Sequence, residues 1–430
     1  MHGGLHPKSS ILRLYAKRKE GGWGLVSIRA AIQDETAKIH EYIRKMAPSD
    51  GILIWKKIMM STLSKSFGLH KIVKQHYLSL AKGAECQVTY IWIDKAGENL
   101  LGKTRTLEME PAGIRDVPEW SASWPDEKIT EVVLVPVRMF RDPFTLDPNK
   151  LVLCEVLDGN YAPTGSNQRS QCVKVMEKVK DFQTWFGMEQ EYMLLGLDGK
   201  PFGWPSQGLR LTRASCTVGI NNMLGRDISI SHYRACLYAG INICGSNPEA
   251  WPFQWEFQVG PCEGIEVGDH VWMARYILHR VCEDFGVVAS LDATPIEEKK
   301  HTSGCHTNFS TKEMRSKGGL QYIEEAIRRL SKRHSQHLRV YDPHGGADNM
   351  IRLTNQSTTS SFQSFSTATA SRKVSVRIPD HVSRSGCGYL EDRRPAANCD
   401  PYSVMRALAE TCLLGAAEED DDERKKTVAA

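Results

Sequence analysis

The segment Phe186-Gly187-Met188-Glu189-Gln190-Glu191-Tyr192 places two glutamates either side of a single glutamine. Val173 to Trp185, just before it, carries a helical pattern, and Met193-Leu194-Leu195 prolongs an apolar run behind it. On a β-strand, residues two apart share a face. Glu189 and Glu191 therefore project together while Gln190 faces the other way. Like charges so placed repel unless something positive stands between them. A solvated strand face is the usual fate of such a pair. Phe186, Tyr192 and Leu194 instead predict a largely buried element, where unpaired carboxylates are costly. The segment thus predicts a hard divalent cation, and an oxygen-rich donor set suits magnesium or manganese.

Around this segment lies a chain of 430 residues, long enough for two domains and an appendage. Hydrophobic residues at 41% and charged residues at 25% describe an ordinary soluble globular protein. The formal charge of +4 is dispersed and gives little support to a nucleic-acid partner. No apolar run approaches the roughly 20 residues that span a bilayer, and Met1 to Glu20 has no apolar core of a secretory signal. The 12 cysteines show no CxxC pair or disulfide-scaffold spacing. They read as reduced thiols, mostly packed inside a cytoplasmic enzyme. His306 follows Cys305, but nothing nearby completes a zinc set.

In residues 1–60, Ile28, Ile32, Ile39 and Ile43 recur at helical steps and predict an amphipathic helix. Its basic flanks, Arg13 to Lys19 and Arg44-Lys45, read first as solvated helix ends and second as a contact for an acidic partner. The part from Arg13 to Pro48 weakly resembles the end of a retroelement reverse transcriptase, which suggests an in-frame fusion or a gene-model error. No function is assigned to it. Residues 61–150 predict a small β-rich domain: a strand over Gln87–Asp94, a turn at Lys95–Asn99 and a returning strand over Lys103–Leu107, with the domain ending near Phe144–Pro148. Residues 151–416 predict a larger α+β domain. Val271, Ala274, Ile277, Leu278, Val281 and Phe285 mark a helix stopped by Gly286, and further helices are expected over Leu320–His337 and Ser403–Leu414. The tail 417–430, with its charge run Glu418–Lys426, is expected to be disordered.

Other groups could complete a site with the two glutamates. Gln254, Glu256 and Gln258 share one face of a strand-like run, and Glu249 lies seven residues before Glu256. Gly304 to Ser310 offers His306 among small polar residues, and Tyr389 to Pro395 sets Glu391 beside Arg393 and Arg394. Singly, each has a bland reading as a core histidine or a surface acid. Together, Phe186–Tyr192, Gln254–Gly264, Gly304–Ser310, Val376–Pro379 and Tyr389–Pro401 resemble the eukaryotic-type (class II) glutamine synthetases. The resemblance runs from about Lys71 to Leu414. Lys103–Leu107, Phe140–Glu155, Arg226–Ala239 and Gly268–Gly286 also match in order.

Position by position, the resemblance implies three metal ions. Glu191, Glu249 and Glu256 match the ligands of the first, which the glutamate substrate approaches. Glu189, His306 and Glu391 match those of the second, which clamps the nucleotide phosphates, and Glu189 and Glu256 also face the third. Arg352, Arg372, Arg377 and Arg393 match arginines around the transferred phosphoryl group and the glutamate carboxylates, work that suits a guanidinium fork. Asn308, Ser310, Tyr389, Arg372 and Arg377 match positions lining the ATP. The implied reaction is activation of a glutamate side-chain carboxylate by ATP to an acyl phosphate, which ammonia then attacks.

The sequence departs from that family mainly on the ammonium and glutamate side. After Glu119-Trp120 the family's D-G-S-S-T loop is replaced by Ser121-Ala122-Ser123-Trp124-Pro125 and shortened. The H-E-T triplet, whose glutamate assists ammonium deprotonation, is Ser357-Thr358-Thr359 here, and a hydroxyl cannot accept that proton near neutral pH. N-W-N-G, which holds substrate glutamate, is replaced by Lys299-Lys300-His301-Thr302, and the loop after Gly203-Trp204-Pro205 is shorter. The resulting expectation is α+β: a small β-grasp-like domain followed by a large catalytic domain on an antiparallel sheet. The resemblance further implies a ring, two stacked pentamers, of this chain or of this chain with a paralogue. Two functions follow: ATP-dependent glutamate–ammonia ligation, or descent from it with reduced activity, and alternatively a non-catalytic metal- and nucleotide-binding subunit. Nucleic-acid binding through residues 1–60 is a distant third.

Overall fold

The alternation Val88, Tyr90, Trp92 buries one side of the first described strand. In the computed structural model the described residues are 83–124, 130–203, 215–219, 222–296, 301–355 and 359–415, with a few positions between 74 and 80. They belong to one compact unit, residues 64–430. The helix expected in residues 1–60 and the charged tail lie outside the described residues. So do parts of the altered segments, at 125, 204–214, 299–300 and 357–358, whereas Ser121–Ser123 are described and lie in a strand.

Strands β1 (Cys86–Ile93) and β2 (Leu100–Leu107) form the expected hairpin, Cys86 opposite Leu107 and Ile93 opposite Leu100. The Asp94 carboxylate closes the turn by accepting from the Glu98 and Asn99 backbone N–H groups at 2.9 and 3.1 Å. Strands β3 (Trp120–Ser123), β4 (Glu131–Arg141) and β5 (Lys150–Leu157) complete a five-stranded sheet ordered β2-β1-β5-β4-β3. β5 runs parallel to β1, and the other pairs are antiparallel. Leu134, Val152, Cys154 and Val156 fill its core with the β1 residues. The sheet thus takes in chain beyond Phe144–Pro148.

Helix α1 (Gln168–Lys178) is capped by Asn167, whose side chain accepts from Ser170 N. The helical pattern expected to reach Trp185 ends earlier, with one tight turn at Lys180–Phe182 and Gln183 at φ 47°. Trp185 itself starts a strand because it pairs with Glu263 and Ser310, partners that local periodicity does not register. The next elements are β6 (Trp185–Leu195), α2 (Arg226–Ala239), β7 (Ile243–Pro248), β8 (Gln254–Glu263), α3 (Glu266–Phe285), β9 (Val288–Ser290) and β10 (Cys305–Ser310). They are followed by α4 (Lys312–Arg315), α5 (Leu320–Lys332), α6 (His334–Val340), α7 (Ala347–Arg352), β11 (Thr367–Thr369), β12 (Val376–Ile378), α8 (Asp380–Ser385), β13 (Leu390–Asp392) and α9 (Pro401–Leu413).

The second sheet has eight strands, in the order β11-β12-β13-β10-β6-β8-β7, with β9 pairing to the end of β6. All its pairs are antiparallel except β11 with β12. The architecture is the expected α+β one: a small β-grasp-like N-terminal sheet domain and a large antiparallel sheet backed by helices. α3 ends as anticipated at Gly286, which adopts φ 71° where a side chain would be strained. The single helix expected over Leu320–His337 is instead α5 and α6, broken at Arg333. The break turns His334 and His337 inward, to the Phe362 carbonyl at 3.0 Å and the Tyr341 hydroxyl at 2.6 Å. All 12 cysteines are free thiols, most of them buried. Among the described residues no helix is long and apolar enough to cross a membrane.

Candidate active site and metal centre

Strand register brings distant acids into one row. Glu191 on β6 lies opposite Glu256 on β8, and Glu189 lies opposite His306 on β10. Asn308 on β10 lies opposite Glu391 on β13, which in turn faces Arg377 on β12. As the alternation predicted, Gln190 points the other way, into the core, with no exposure.

Two sets of donor atoms converge closely: Glu189, His306 and Glu391, and Glu191, Glu256 and His306, each within 4.8 Å. The first set coincides with the second-ion ligands inferred from the sequence. Glu249 stands outside both sets, its carboxylate accepting from Asn247 Nδ2 at 3.1 Å. His306 Nδ1 is 3.6 Å from Glu189 Oε2 and 3.9 Å from Glu391 Oε1, and Nε2 is 4.0 Å from Glu191 Oε1. These gaps exceed hydrogen-bond length. They do not exceed two ion–ligand bonds of about 2.1 Å placed end to end.

The electrostatics agree. Burial, followed by the Glu249 carboxylate, pushes the Glu191 pKa up to about 8. Burial and then Glu189, Glu191 and Glu249 raise Glu256 well above the carboxylate range, and burial raises Glu249. Burial and the Arg393 charge hold His306 well below its usual value, so the imidazole is neutral, as a metal ligand must be. Carboxylates packed so tightly that ionisation is opposed would be relieved by a cation placed between them. Five carboxylates, one neutral imidazole and no thiolate fit a hard divalent ion.

Neighbouring groups hold the row in place. Gln254 Nε2 and the Gly304 N–H donate to Glu191 Oε2 at 3.2 and 2.9 Å, Gln258 Nε2 to Glu256 Oε1 at 2.5 Å, and Asn308 Nδ2 to Glu189 Oε1 at 2.8 Å. Arg393 Nη1 donates to Glu391 Oε1 at 2.6 Å, and Arg377 Nε lies 2.7 Å from Glu391 Oε2. Glu391 is therefore charge-compensated from two sides. Arg352 is 3% exposed and donates to Asn349 Oδ1 and to the Arg394 and Arg393 carbonyls, while its Nε has no partner. Burial lowers its pKa to about 10. The Arg372 charge acts on both Glu249 and His306, and its carbonyl accepts from Arg393 Nε at 3.1 Å. Ser310 Oγ donates to the Gly388 carbonyl at 2.5 Å. The Tyr389 hydroxyl is raised by burial and by Glu189 and Glu391.

Residues 167–338 match the family described as "Glutamine synthetase, catalytic domain". The glutamine synthetase of Xenopus laevis is 55% identical over 360 residues, 82% of this chain and 92% of that protein. Those of Homo sapiens and Canis lupus familiaris are 54% and 55% identical over 82% of this chain and 96% of each relative. The chain belongs to the glutamine synthetase family. Ligase chemistry is therefore the family's, and among the described residues the cross-sheet row of this glutamine synthetase family member brings together Glu256, Glu191, Glu189, His306 and Glu391.

Sequence reasoning missed the groups that support this row. Beneath it, Gln190 is bound by Arg275 of α3. Next to it, Asp392 is bound by Arg394 and by the Tyr341 hydroxyl, all with no exposure. The alternation Glu391-Asp392-Arg393-Arg394 hinted that Asp392 and Arg394 face away from the site together. No local signal singled out Arg275.

Proposed function

We propose that this chain binds ATP and divalent cations, magnesium or manganese, across the row and forms glutamine from glutamate and ammonia. The observation that carries the reading is the row itself: Glu256, Glu191, Glu189, His306 and Glu391 on one sheet face, bordered by Arg352, Arg372, Arg377 and Arg393. Glu191, Glu249 and Glu256 would hold one ion and Glu189, His306 and Glu391 another, and such ions supply charge neutralisation for phosphate oxygens. Glutamate's side-chain carboxylate attacks the terminal phosphorus of ATP, releasing ADP and leaving an acyl phosphate. Ammonia then attacks the acyl carbon, phosphate departs, and a proton is lost from nitrogen. Arg352 and Arg393 border the reacting groups with fixed positive charge. The Asn308 amide and Ser310 hydroxyl, engaged with Glu189 and Gly388, shape the nucleotide end.

A second reading rests on the sequence changes at Ser121–Pro125, Lys299–Thr302 and Ser357–Thr359. With no carboxylate at Thr358 to take the ammonium proton, transfer should slow by roughly 10²–10⁴-fold. The chain then serves as a metal- and nucleotide-binding subunit in a ring with an active paralogue. Phosphate release by purified protein given ATP, Mg²⁺ and glutamate, with and without ammonium, separates the two. Ammonium-stimulated release supports ligation. ATP binding without release supports the subunit reading.

A further inference from the structure

We propose that Arg275 is a positioning residue that sets the spacing between the two ends of the ion-binding row, acting from the buried side of the sheet. This rests on the ion-site reading above. The row draws Glu189 and Glu191 from β6, and Glu391 and Arg393 from β13 and the chain just after it. β10 lies between β6 and β13, so no ladder joins the two ends directly. After Asp392 the chain leaves β13, and Ala396 bridges to Gly304 beside the start of β10 before the chain runs on through the loop 397–400.

Arg275 spans that separation from below. It is 1% exposed. Its Nε and Nη2 donate to Gln190 Oε1 at 2.9 and 2.6 Å. Nη2 also donates to the Ala397 carbonyl at 3.1 Å, and Nη1 to the Cys399 carbonyl at 2.9 Å. Gln190 Nε2 completes the link, donating to the Ala397 carbonyl at 2.9 Å and to the Glu191 carbonyl at 2.8 Å. The residue between the two β6 glutamates is thus fixed on both amide atoms. Neither β6 nor the loop can shift without breaking charge-assisted hydrogen bonds, the stronger kind.

The chemistry of the clamp is informative. Among the described residues no carboxylate lies within ion-pair distance of Arg275. Asp400 acts on it only at longer range, as a charge that the Arg275 cation stabilises. A buried cation held by neutral acceptors is a poor device for stability alone. What it provides is a rigid planar fork meeting three acceptors on two segments, which a lysine ammonium cannot reproduce. Groups that orient ligands without touching the ion change metal affinity by about 10–100-fold when removed.

The test is Mn²⁺ titration of full-length protein, following the free-ion electron paramagnetic resonance signal, with thermal unfolding measured in parallel. Arg275→Lys keeps the charge and loses the fork. Gln190→Met removes the other half of the clamp and serves if the first variant does not fold. Arg169→Lys is the control. Arg169 is partly buried and bonded to Asp269 at 2.7 Å, but away from the row. The expected result is Mn²⁺ affinity weakened about 10-fold or more in the folded Arg275 and Gln190 variants, with Arg169→Lys losing stability but not affinity. Variants that lose stability while binding Mn²⁺ as tightly as wild type overturn the positioning role. Wild-type protein that takes up no Mn²⁺ refutes the ion-site reading itself, and this inference with it.

Discussion

Replacing Gly304 by alanine would add one carbon at a crowded point of the site. A Cβ there would sit 3.1 Å from Arg352 Cζ, closer still to Nη2, and 3.2 Å from His306 Nε2. Its φ lies outside the left-handed range, so the constraint is space and not backbone strain. Retreat of the backbone is blocked, because the Gly304 N–H donates to Glu191 Oε2 at 2.9 Å. Arg352 must therefore move, although it is fully enclosed and bonded to Asn349, Arg393 and Arg394. Losing one hydrogen bond to a charged group costs about 2 kcal/mol. Misplacing a charged group by about 1 Å lowers a rate by about 100-fold. Glu191 and His306 shift as well, so ion binding should weaken. The assay compares Gly304→Ala with wild type for ATP-dependent phosphate release, Mn²⁺ affinity and thermal unfolding. Release falling by about 100-fold with weaker Mn²⁺ binding is the expected outcome. If both stay within about three-fold of wild type, the packing argument around Arg352 is wrong.

Mn²⁺ at 100 times its dissociation constant should stabilise the fold by about 2.7 kcal/mol, seen as a rise in unfolding temperature. Glu256→Gln should shrink that rise by removing a ligand, and an unchanged rise would place the ion elsewhere. Thr358→Glu restores a carboxylate at the position expected to accept the ammonium proton. Ammonium-dependent turnover should then climb by roughly 10²-fold or more, and no gain would argue that another group already does this work. His232 is buried against the Ala274 carbonyl at 3.0 Å, and burial lowers its pKa to about 4. As pH falls, the unfolded chain takes up this proton first. Its contribution is therefore complete above about pH 6.5 and lost progressively down to about 4, some 3 kcal/mol in all. Urea unfolding from pH 7 to 4.5 should show a shallower pH slope for His232→Gln than for wild type.

What the sequence determined on its own is whatever obeys a local period. The two-residue repeat set Glu189 and Glu191 on one face and Gln190 on the other, and the same repeat showed the β1–β2 hairpin. The apolar stripe ending at Gly286 located α3. Family-specific motifs then pointed to a ligand set, and the donor atoms of Glu189, His306 and Glu391 lie close together in the fold. Local periods fail where a long-range partner decides. Trp185 looked helical until its pairing with β8 and β10 was in view, and the helix after Leu320 breaks because His334 and His337 are drawn into the core. Only the tertiary structure decided which of these side chains meet, since Glu191 meets Glu256 and Glu189 meets His306 through hydrogen-bond registers between strands far apart in the chain. It also decided the support beneath them. An arginine on an amphipathic helix reads as a solvated charge, and only the packing of α3 under β6 makes Arg275 a clamp.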